Sequence, residues 1–277
     1  MEKISVIVCS KNEELRIEDC LRSIMKNNPD EIILVDGGST DNTINIAKKY
    51  VSKIISNRKS NLTDDRQIGL NNCRNNIAAM IDCDHVLEKN QIMSLFNEMI
   101  LHKYAIIQAQ INIIEKDFWT KAENFALQLT EVPGLQKEML GTAPSLYNKK
   151  ILNKFYFDSS ITKTIDDTDY FYRLSKLKNI RFGTAKTKIK CFHQPGFFTY
   201  CKKFFWYGKG DAEFAYKHKN RLKNILFHLF IRYPLIHSSK ALLNLRIDSF
   251  VFFIAQGYIR LLSFFINYTK LNFQKLP

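Results

Sequence analysis

Acidic residues are nearly missing from the last third of this chain. Residues 186–277 hold 3 Asp+Glu against 16 Lys+Arg, while residues 1–185 hold 24 against 25, so the net charge of +14 sits almost wholly at one end. A one-sided basic surface calls for a polyanion: nucleic acid, an anionic bilayer or a phosphate-bearing substrate. No recognisable nucleic-acid motif accompanies it, so nucleic acid is not the expected partner. The six cysteines (Cys9, Cys20, Cys73, Cys83, Cys191, Cys201) lack any CxxC spacing, which argues against a zinc site or a disulfide framework and for free thiols in a reducing cytosol. No basic stretch leading into a long apolar run opens the sequence, so no signal peptide is expected. There is no internal repeat and no low-complexity tract, and 45% hydrophobic residues exclude global disorder.

What is present alternates between strand and helix. Ile4–Cys9, Glu31–Val35, Lys53–Ser56, Ile77–Ile81 and Ala105–Ile114 read as strands. Between them, Glu13–Met25, Asn42–Tyr50, Thr63–Arg74 and Asn90–Leu101 read as helices, the second capped by Ser39 or Asp41 and the third by Thr63. This order predicts βαβ units and a mainly parallel, doubly wound sheet. Ligands bind such sheets beyond the carboxyl ends of the strands, and Ser10, Asp36 and Asp82 each follow a strand end. Further along, Phe118–Thr130 and Asp167–Leu177 read as helices, Gly134–Ser145 as loop or irregular strand, and Lys186–Phe192 as a strand.

Asp82-Cys83-Asp84 puts two carboxylates on one turn. One can reach a ribose hydroxyl while the other holds Mn²⁺ or Mg²⁺ between two phosphates, since hard oxygen ligands suit these ions. Taken alone, the pattern is weak and is more often two solvated turn acids. Asp166-Asp167-Thr168-Asp169 heads an amphipathic helix, where the helix dipole favours acids in any case.

Four blocks in order extend this pattern: Ser5-Val6-Ile7-Val8-Cys9-Ser10-Lys11-Asn12-Glu13-Glu14, Ile33-Leu34-Val35-Asp36-Gly37-Gly38-Ser39-Thr40-Asp41, Arg66-Gln67-Ile68-Gly69-Leu70 and Ile81-Asp82-Cys83-Asp84. Together they resemble the family 2 glycosyltransferases over residues 3–215. The resemblance implies a GT-A fold, a Rossmann-like α/β architecture with a mainly parallel mixed sheet. It also implies an inverting transfer of a sugar from a nucleotide-diphosphate donor, commonly a UDP-sugar, to a glycan or lipid-linked acceptor. By the same resemblance Cys9, Ser10 and Glu13 hold the nucleoside and Asp36 meets the base. Arg66 lies near the donor, Asp82 contacts the ribose and Asp84 the metal. Gly141-Thr142-Ala143-Pro144-Ser145 lines the sugar pocket. Asp167 is the general base, with Asp166 where the family has Glu, and His193 completes the metal shell. The chain departs from the family at Cys9, Lys11, Gly37 and Asn75, where Pro, an aromatic residue, Asp and Gly are common.

Nucleotidyltransferases share related folds but carry a Gly-rich Arg-Lys loop after the first strand, and Ser10-Lys11-Asn12-Glu13 stands there instead. A non-catalytic membrane or polyanion-binding module with the same fold is the second alternative, and the retained Asp82, Asp84 and Asp167 weigh against it. Trp206-Tyr207-Gly208-Lys209-Gly210 resembles a segment common in membrane-associated members, with Lys202, Lys203 and Lys209 available to phosphates. The expected division is a catalytic domain over residues 1–215 and a basic, apolar helical tail over residues 216–277. In the tail, Ser249, Gln256, Arg260, Ser263 and Asn267 form one polar stripe at helical spacing. Arg260 in mid-bilayer would cost about 2.5 kcal/mol or more. An interfacial helix on the cytoplasmic side of the membrane is therefore expected, its stripe facing water or protein while Phe250, Phe253, Phe264 and Phe265 enter lipid. Leu222–Leu235, closed by Pro234, reads as a second such helix. Packing on the catalytic domain, or a homodimer interface, is the other use of these helices.

Overall fold

The computed structural model describes residues 2–58, 61–136, 139–152, 155–161 and 165–273. Two compact units emerge. The first holds residues 1–112, 132–162 and 166–192; the second holds 113–131, 163–165 and 193–277. The boundary expected at residue 215 instead falls inside a helix of the second unit, because the tail packs with that helix and with a segment from mid-chain.

The first unit begins with β1 (Ile4–Ser10), α1 (Ile17–Met25), β2 (Glu31–Asp36), α2 (Thr43–Ala47), β3 (Lys53–Ser56), α3 (Leu62–Asn72) and β4 (Ile77–Asp82). β5 (His85–Val86), α4 (Gln91–His102) and β6 (Ile106–Ile113) follow. β7 (Gly134–Gln136), β8 (Ser145–Asn148), α6 (Asp166–Leu174) and β9 (Phe182–Cys191) come after an excursion into the second unit. Strand order is β3-β2-β1-β4-β8-β6-β9-β5, with β7 on β9. The pairs β1–β2, β1–β4 and β2–β3 are parallel, and β8 pairs antiparallel to β4 and β6. The fold is thus α/β, as the strand and helix periods predicted, and its sheet is mixed, as the resemblance implied. β1, β2 and β4 are buried on both faces. Val6, Val8, Leu34 and Ile81 enter one core, while Ile7, Ile33, Val35 and Met80 enter the other.

One predicted cap differs, and at another the structure selects between two candidates. α3 starts one residue early and is capped by Asn61, whose side chain accepts from Asp64 N; the Thr63 hydroxyl donates to Ile161 O at 3.0 Å instead. At α2, Asp41 rather than Ser39 accepts the Thr43 N–H, at 3.0 Å. The stretch read as loop over 134–145 holds β7 and leads into β8, and its residues 137–138 lie outside the described residues.

The second unit is helical. α5 (Phe118–Thr130) has its predicted bounds and a capping box between Asp117 and Thr120. α7 (Phe197–Lys217), α8 (Leu222–Phe227), a wider π-type turn over His228–His237 with Pro234 inside it, α9 (Ser238–Leu243) and α10 (Ile247–Phe273) follow. Pro234 therefore does not end a helix as expected. The π-type winding carries the chain past it. Ala122, Ala126, Tyr200, Phe204, Phe252 and Phe253 form the core.

The tail's polar stripe faces this core. Ser249 Oγ donates to Ala122 O at 3.1 Å, Ser263 Oγ to Phe205 O at 2.6 Å, and Arg260 forms a two-pronged pair with Asp211 at 2.8 and 2.9 Å. Phe253 and Phe264, expected to enter lipid, are buried instead, while Val251, Tyr258, Leu262, Phe265 and Ile266 are among the exposed apolar residues. The reason is spacing: the polar atoms need internal partners, so the helix turns them inward and its other apolar face outward.

Candidate active site

The sheet's register aligns three strand ends. Ser10 pairs with Asp36 across β1 and β2, and Cys9 with Asp82 across β1 and β4. The loops beyond β1 and β2 are laced together. Asn12 N donates to Ser39 Oγ at 2.9 Å, Asn12 Oδ1 accepts from Thr40 N at 2.8 Å, and Gly37 N donates to Ser10 O at 2.9 Å. Asp36 is fully buried. It accepts from Gly38 N, Ser39 N and Ser39 Oγ at 2.9, 3.0 and 2.5 Å. The carboxylate expected to meet a nucleobase thus holds the turn together. Gly38 sits in this turn at φ +86°, a conformation L side chains rarely adopt.

The other residues expected at the nucleoside are Glu13, Cys9 and Ser10. Glu13 is clasped by Arg16 through two 2.8 Å bonds. Burial pushes the Glu13 carboxyl up, and Arg16 opposes that. Cys9 is buried, and burial drives its thiol well above the usual range. Ser10 Oγ is buried with no hydrogen-bond partner among the described residues.

Arg66, on α3, is the centre of charge. It binds Asp166 at the head of α6 and lies 3.6 Å from Asp82 at the end of β4. Burial disfavours the Arg66 charge, but Asp166 and then Asp82 outweigh it and raise its pKa. Asp82 is 35% exposed and faces outward from the sheet end. Asp167, next to the pair, makes no bond to Arg66 and accepts from Thr168 N at 2.6 Å. Burial, then the Asp166 charge, pushes its carboxyl up to about 7 against the pull of Arg66. In the same unit, Gly141 N donates to Gln108 Oε1 at 2.7 Å, and a Cβ on Gly141 would come within 2.9 Å of the Gln108 amide. Glycine there allows the close approach that shapes the segment.

Asp84 is the residue that best fits a hard cation. Its Oδ1 is buried and lacks a hydrogen-bond partner among the described residues, a position that a metal ion would satisfy. One ligand atom from each of Asp84, His85 and Cys191 lies within 4.8 Å of the others. The tautomer of His85 removes it from any such set. Its Nδ1 accepts the Asp82 N–H at 3.0 Å, so the neutral ring carries its proton on Nε2, 3.8 Å from Asp84 Oδ1. His85 therefore faces Asp84 as a donor.

His193 begins the last segment of the second unit. Its Nδ1 lies 2.5 Å from Glu123 Oε2, and the same carboxylate accepts from Tyr200 at 2.6 Å and Lys203 at 2.7 Å. Burial raises the Glu123 carboxyl, but Lys203 and then His193 outweigh it and bring it down to about 2. Lys203, expected to be available to phosphates, is tied to this carboxylate. The sequence reading missed Glu123 and His85. Glu123 had a signal, since Trp119, Ala122, Glu123 and Ala126 share one helical stripe and an acid on an apolar stripe needs a buried partner. His85 had none, because its role depends on a turn.

Comparison with known proteins agrees with this architecture. The family description "Glycosyl transferase family 2" matches residues 5–207, and the chain belongs to that family. An uncharacterized glycosyltransferase of Rickettsia typhi is 28% identical over 200 residues, covering 69% of this chain and 63% of that protein. A cholesterol galactosyltransferase of Borreliella burgdorferi is 30% identical over 120 residues, 40% of this chain and 33% of that one. The chain thus spans less than two thirds of the length of these relatives. The mannosyltransferase of Pyrobaculum calidifontis in complex with GDP-mannose and Mn²⁺ superposes with a TM-score of 0.65 at 12% identity, over 96% of this chain and 87% of that one. S. aureus TarS in complex with UDP-GlcNAc gives 0.58 at 17% identity, over 96% and 89%. Both have the GT-A fold that this sheet builds.

Proposed function

We propose that this chain is an inverting, metal-dependent glycosyltransferase that moves a sugar from a nucleotide-diphosphate donor, a UDP-sugar by preference, to a hydroxyl of a glycan or lipid-linked acceptor. One observation carries the reading: four acids near one sheet edge divide their work. Asp166 neutralises Arg66. Asp82, beside Arg66 and partly exposed, is left for a ribose hydroxyl. Asp84 offers an unpartnered oxygen for Mn²⁺ or Mg²⁺, and a bound cation would supply charge neutralisation for the diphosphate. Asp167, its carboxyl raised, is suited to take a proton near neutral pH. In the reaction an acceptor oxygen attacks the anomeric carbon, its proton passes to Asp167, and the bond to the diphosphate breaks. A single displacement inverts the centre. Arg66 holds positive charge near the donor throughout. His193, with Nδ1 directed at Glu123, is proposed as a metal ligand through Nε2. Neighbours of the same fold bound to UDP-GlcNAc or GDP-mannose support a nucleotide-sugar donor. The deciding experiment incubates the protein with a panel of nucleotide sugars, with Mn²⁺ or with chelator, and follows donor consumption and product anomer by NMR. Consumption of no donor, or a product of retained configuration, overturns the reading.

We also propose that the second unit rests on the cytoplasmic face of an anionic membrane, bringing the enzyme to its acceptor. Among the described residues, α10 is the one helix long and apolar enough to cross a membrane. Its inward polar stripe and outward Tyr258, Leu262, Phe265 and Ile266 support a helix with one face in lipid. Phe230, exposed on the π-type turn, lies 6.2 Å ring to ring from Phe265, which extends the apolar face beyond one helix. The basic balance of this region adds attraction to anionic headgroups, about 1 kcal/mol for each side chain near the surface.

A further inference from the structure

We infer that Glu123 is a positioning residue: it sets the tautomer of His193 and so presents the Nε2 of that imidazole as a permanent lone-pair donor for a divalent cation. The inference rests on the proposed reading of His193 as a metal ligand. It starts from an anomaly on α5. Glu123 shares the buried stripe with Ala122 and Ala126, in the core of the second unit. A carboxylate there is tolerated only with partners, and it has three. His193 Nδ1 and the Tyr200 hydroxyl meet Oε2 at 2.5 and 2.6 Å, and Lys203 Nζ meets Oε1 at 2.7 Å.

That arrangement leaves one location for the imidazole proton. An ionised carboxylate only accepts, so a ring nitrogen 2.5 Å away must donate. Lys203 holds the carboxylate ionised by pairing with it. Nδ1 therefore carries the proton, and Nε2 keeps its lone pair. The 3.1 Å approach of Lys203 to Nδ1 is then two donors sharing one acceptor. The carboxylate itself is held in place: Tyr200, which binds it, stacks on Trp119 at 5.7 Å. His193 is 22% exposed, so one edge of the ring stays open while the other is clasped. A ligating histidine gains basicity and a fixed orientation from such a partner, and losing it lowers metal affinity about 10–100-fold.

The alternative is a buried ion cluster that only staples α5 to α7. Nitrogen-15 NMR of the full chain separates the two, because the imidazole shifts report which nitrogen holds the proton. The wild-type protein is expected to show His193 protonated at Nδ1, and a spectrum dominated by the Nε2–H form overturns the inference without any variant. Glu123→Gln keeps size and removes charge. It is expected to weaken the Nδ1–H bias, to lower Mn²⁺ affinity measured by EPR about 10–100-fold, and to leave metal-free UDP affinity unchanged. Added Mn²⁺ should then restore kcat. His193→Ala separates the two readings. If it leaves Mn²⁺ affinity intact, the ligand role of His193 fails. If it weakens binding while Glu123→Gln changes neither tautomer nor affinity, the role of Glu123 fails.

Discussion

Arg66 is shared unequally between two carboxylates, and that inequality makes a prediction about a third. Asp166 takes the close contact with the guanidinium, and burial and then the Asp166 charge hold the Asp167 carboxyl up at about 7 against the pull of Arg66. A base must be deprotonated to work, so kcat/KM should rise with pH through about 7 and level off above it. Asp167→Asn should lower turnover by roughly 10²-fold or more and abolish this rise, with donor affinity nearly intact. A flat pH profile in the wild-type protein, or near-normal turnover in the variant, contradicts the assignment. Asp84→Asn tests a different atom. It removes one anionic charge from the proposed metal site, so UDP binding that depends on Mn²⁺ should be lost in calorimetry while metal-free UDP binding persists. Unchanged UDP–Mn²⁺ affinity would falsify the metal role of Asp84. The Asp82-Cys83-Asp84 pattern was legible from the sequence because it is local. The reason Asp166 and Asp167 differ was not legible, since it depends on Arg66, 100 residues away from Asp166.

At the scale of elements, α7 and α10 approach so closely that glycine is required between them. A Cβ on Gly208 would lie 2.4 Å from Arg260 O and 2.6 Å from the Ser263 side chain. Backbone cannot yield as a flexible side chain can, so Gly208→Ala should destabilise the protein by about 1–3 kcal/mol or more. Thermal denaturation measures it, and an unchanged midpoint contradicts the packing. The same contact explains why Gly208 lies in the Trp206–Gly210 segment, which the sequence offered only as a resemblance. Asp211 sits one turn further along α7 and neutralises Arg260. Removing either partner leaves a buried charge, a loss of about 3–5 kcal/mol. Helix existence followed from periodicity, and α5 matched its prediction at both ends. The starts of α1, α2, α3, α4 and α6 and the cap of α3 did not follow, because several nearby polar residues compete for each cap and only the folded loop decides among them.

At the scale of the whole molecule, an apolar outer face and a surplus of basic residues occur in the same unit. The proposed membrane association should then respond to both salt and charge. Full-length protein should co-sediment with phosphatidylglycerol vesicles, less so in high salt, and much less with neutral vesicles. Leu262→Lys with Phe265→Lys should weaken association while leaving the melting temperature nearly unchanged, because both side chains are exposed. Protein that ignores anionic vesicles, or a double variant that binds as well as wild type, removes the membrane role. Deleting the tail after residue 215 is a poor substitute, since it would strip Phe252 and Phe253 from the core. The sequence by itself determined the alternating strand and helix order, the acids at the strand ends, the family resemblance and the partition of charge. All of these are properties of near neighbours, of period or of composition. Only the tertiary structure decided that Asp36 serves its own turn, that Glu123 clasps His193 from 70 residues away, and that the tail's polar stripe turns inward. The physical reason is the same in each case: a buried polar group takes whichever partner folding brings within bonding distance, and sequence spacing does not reveal that partner.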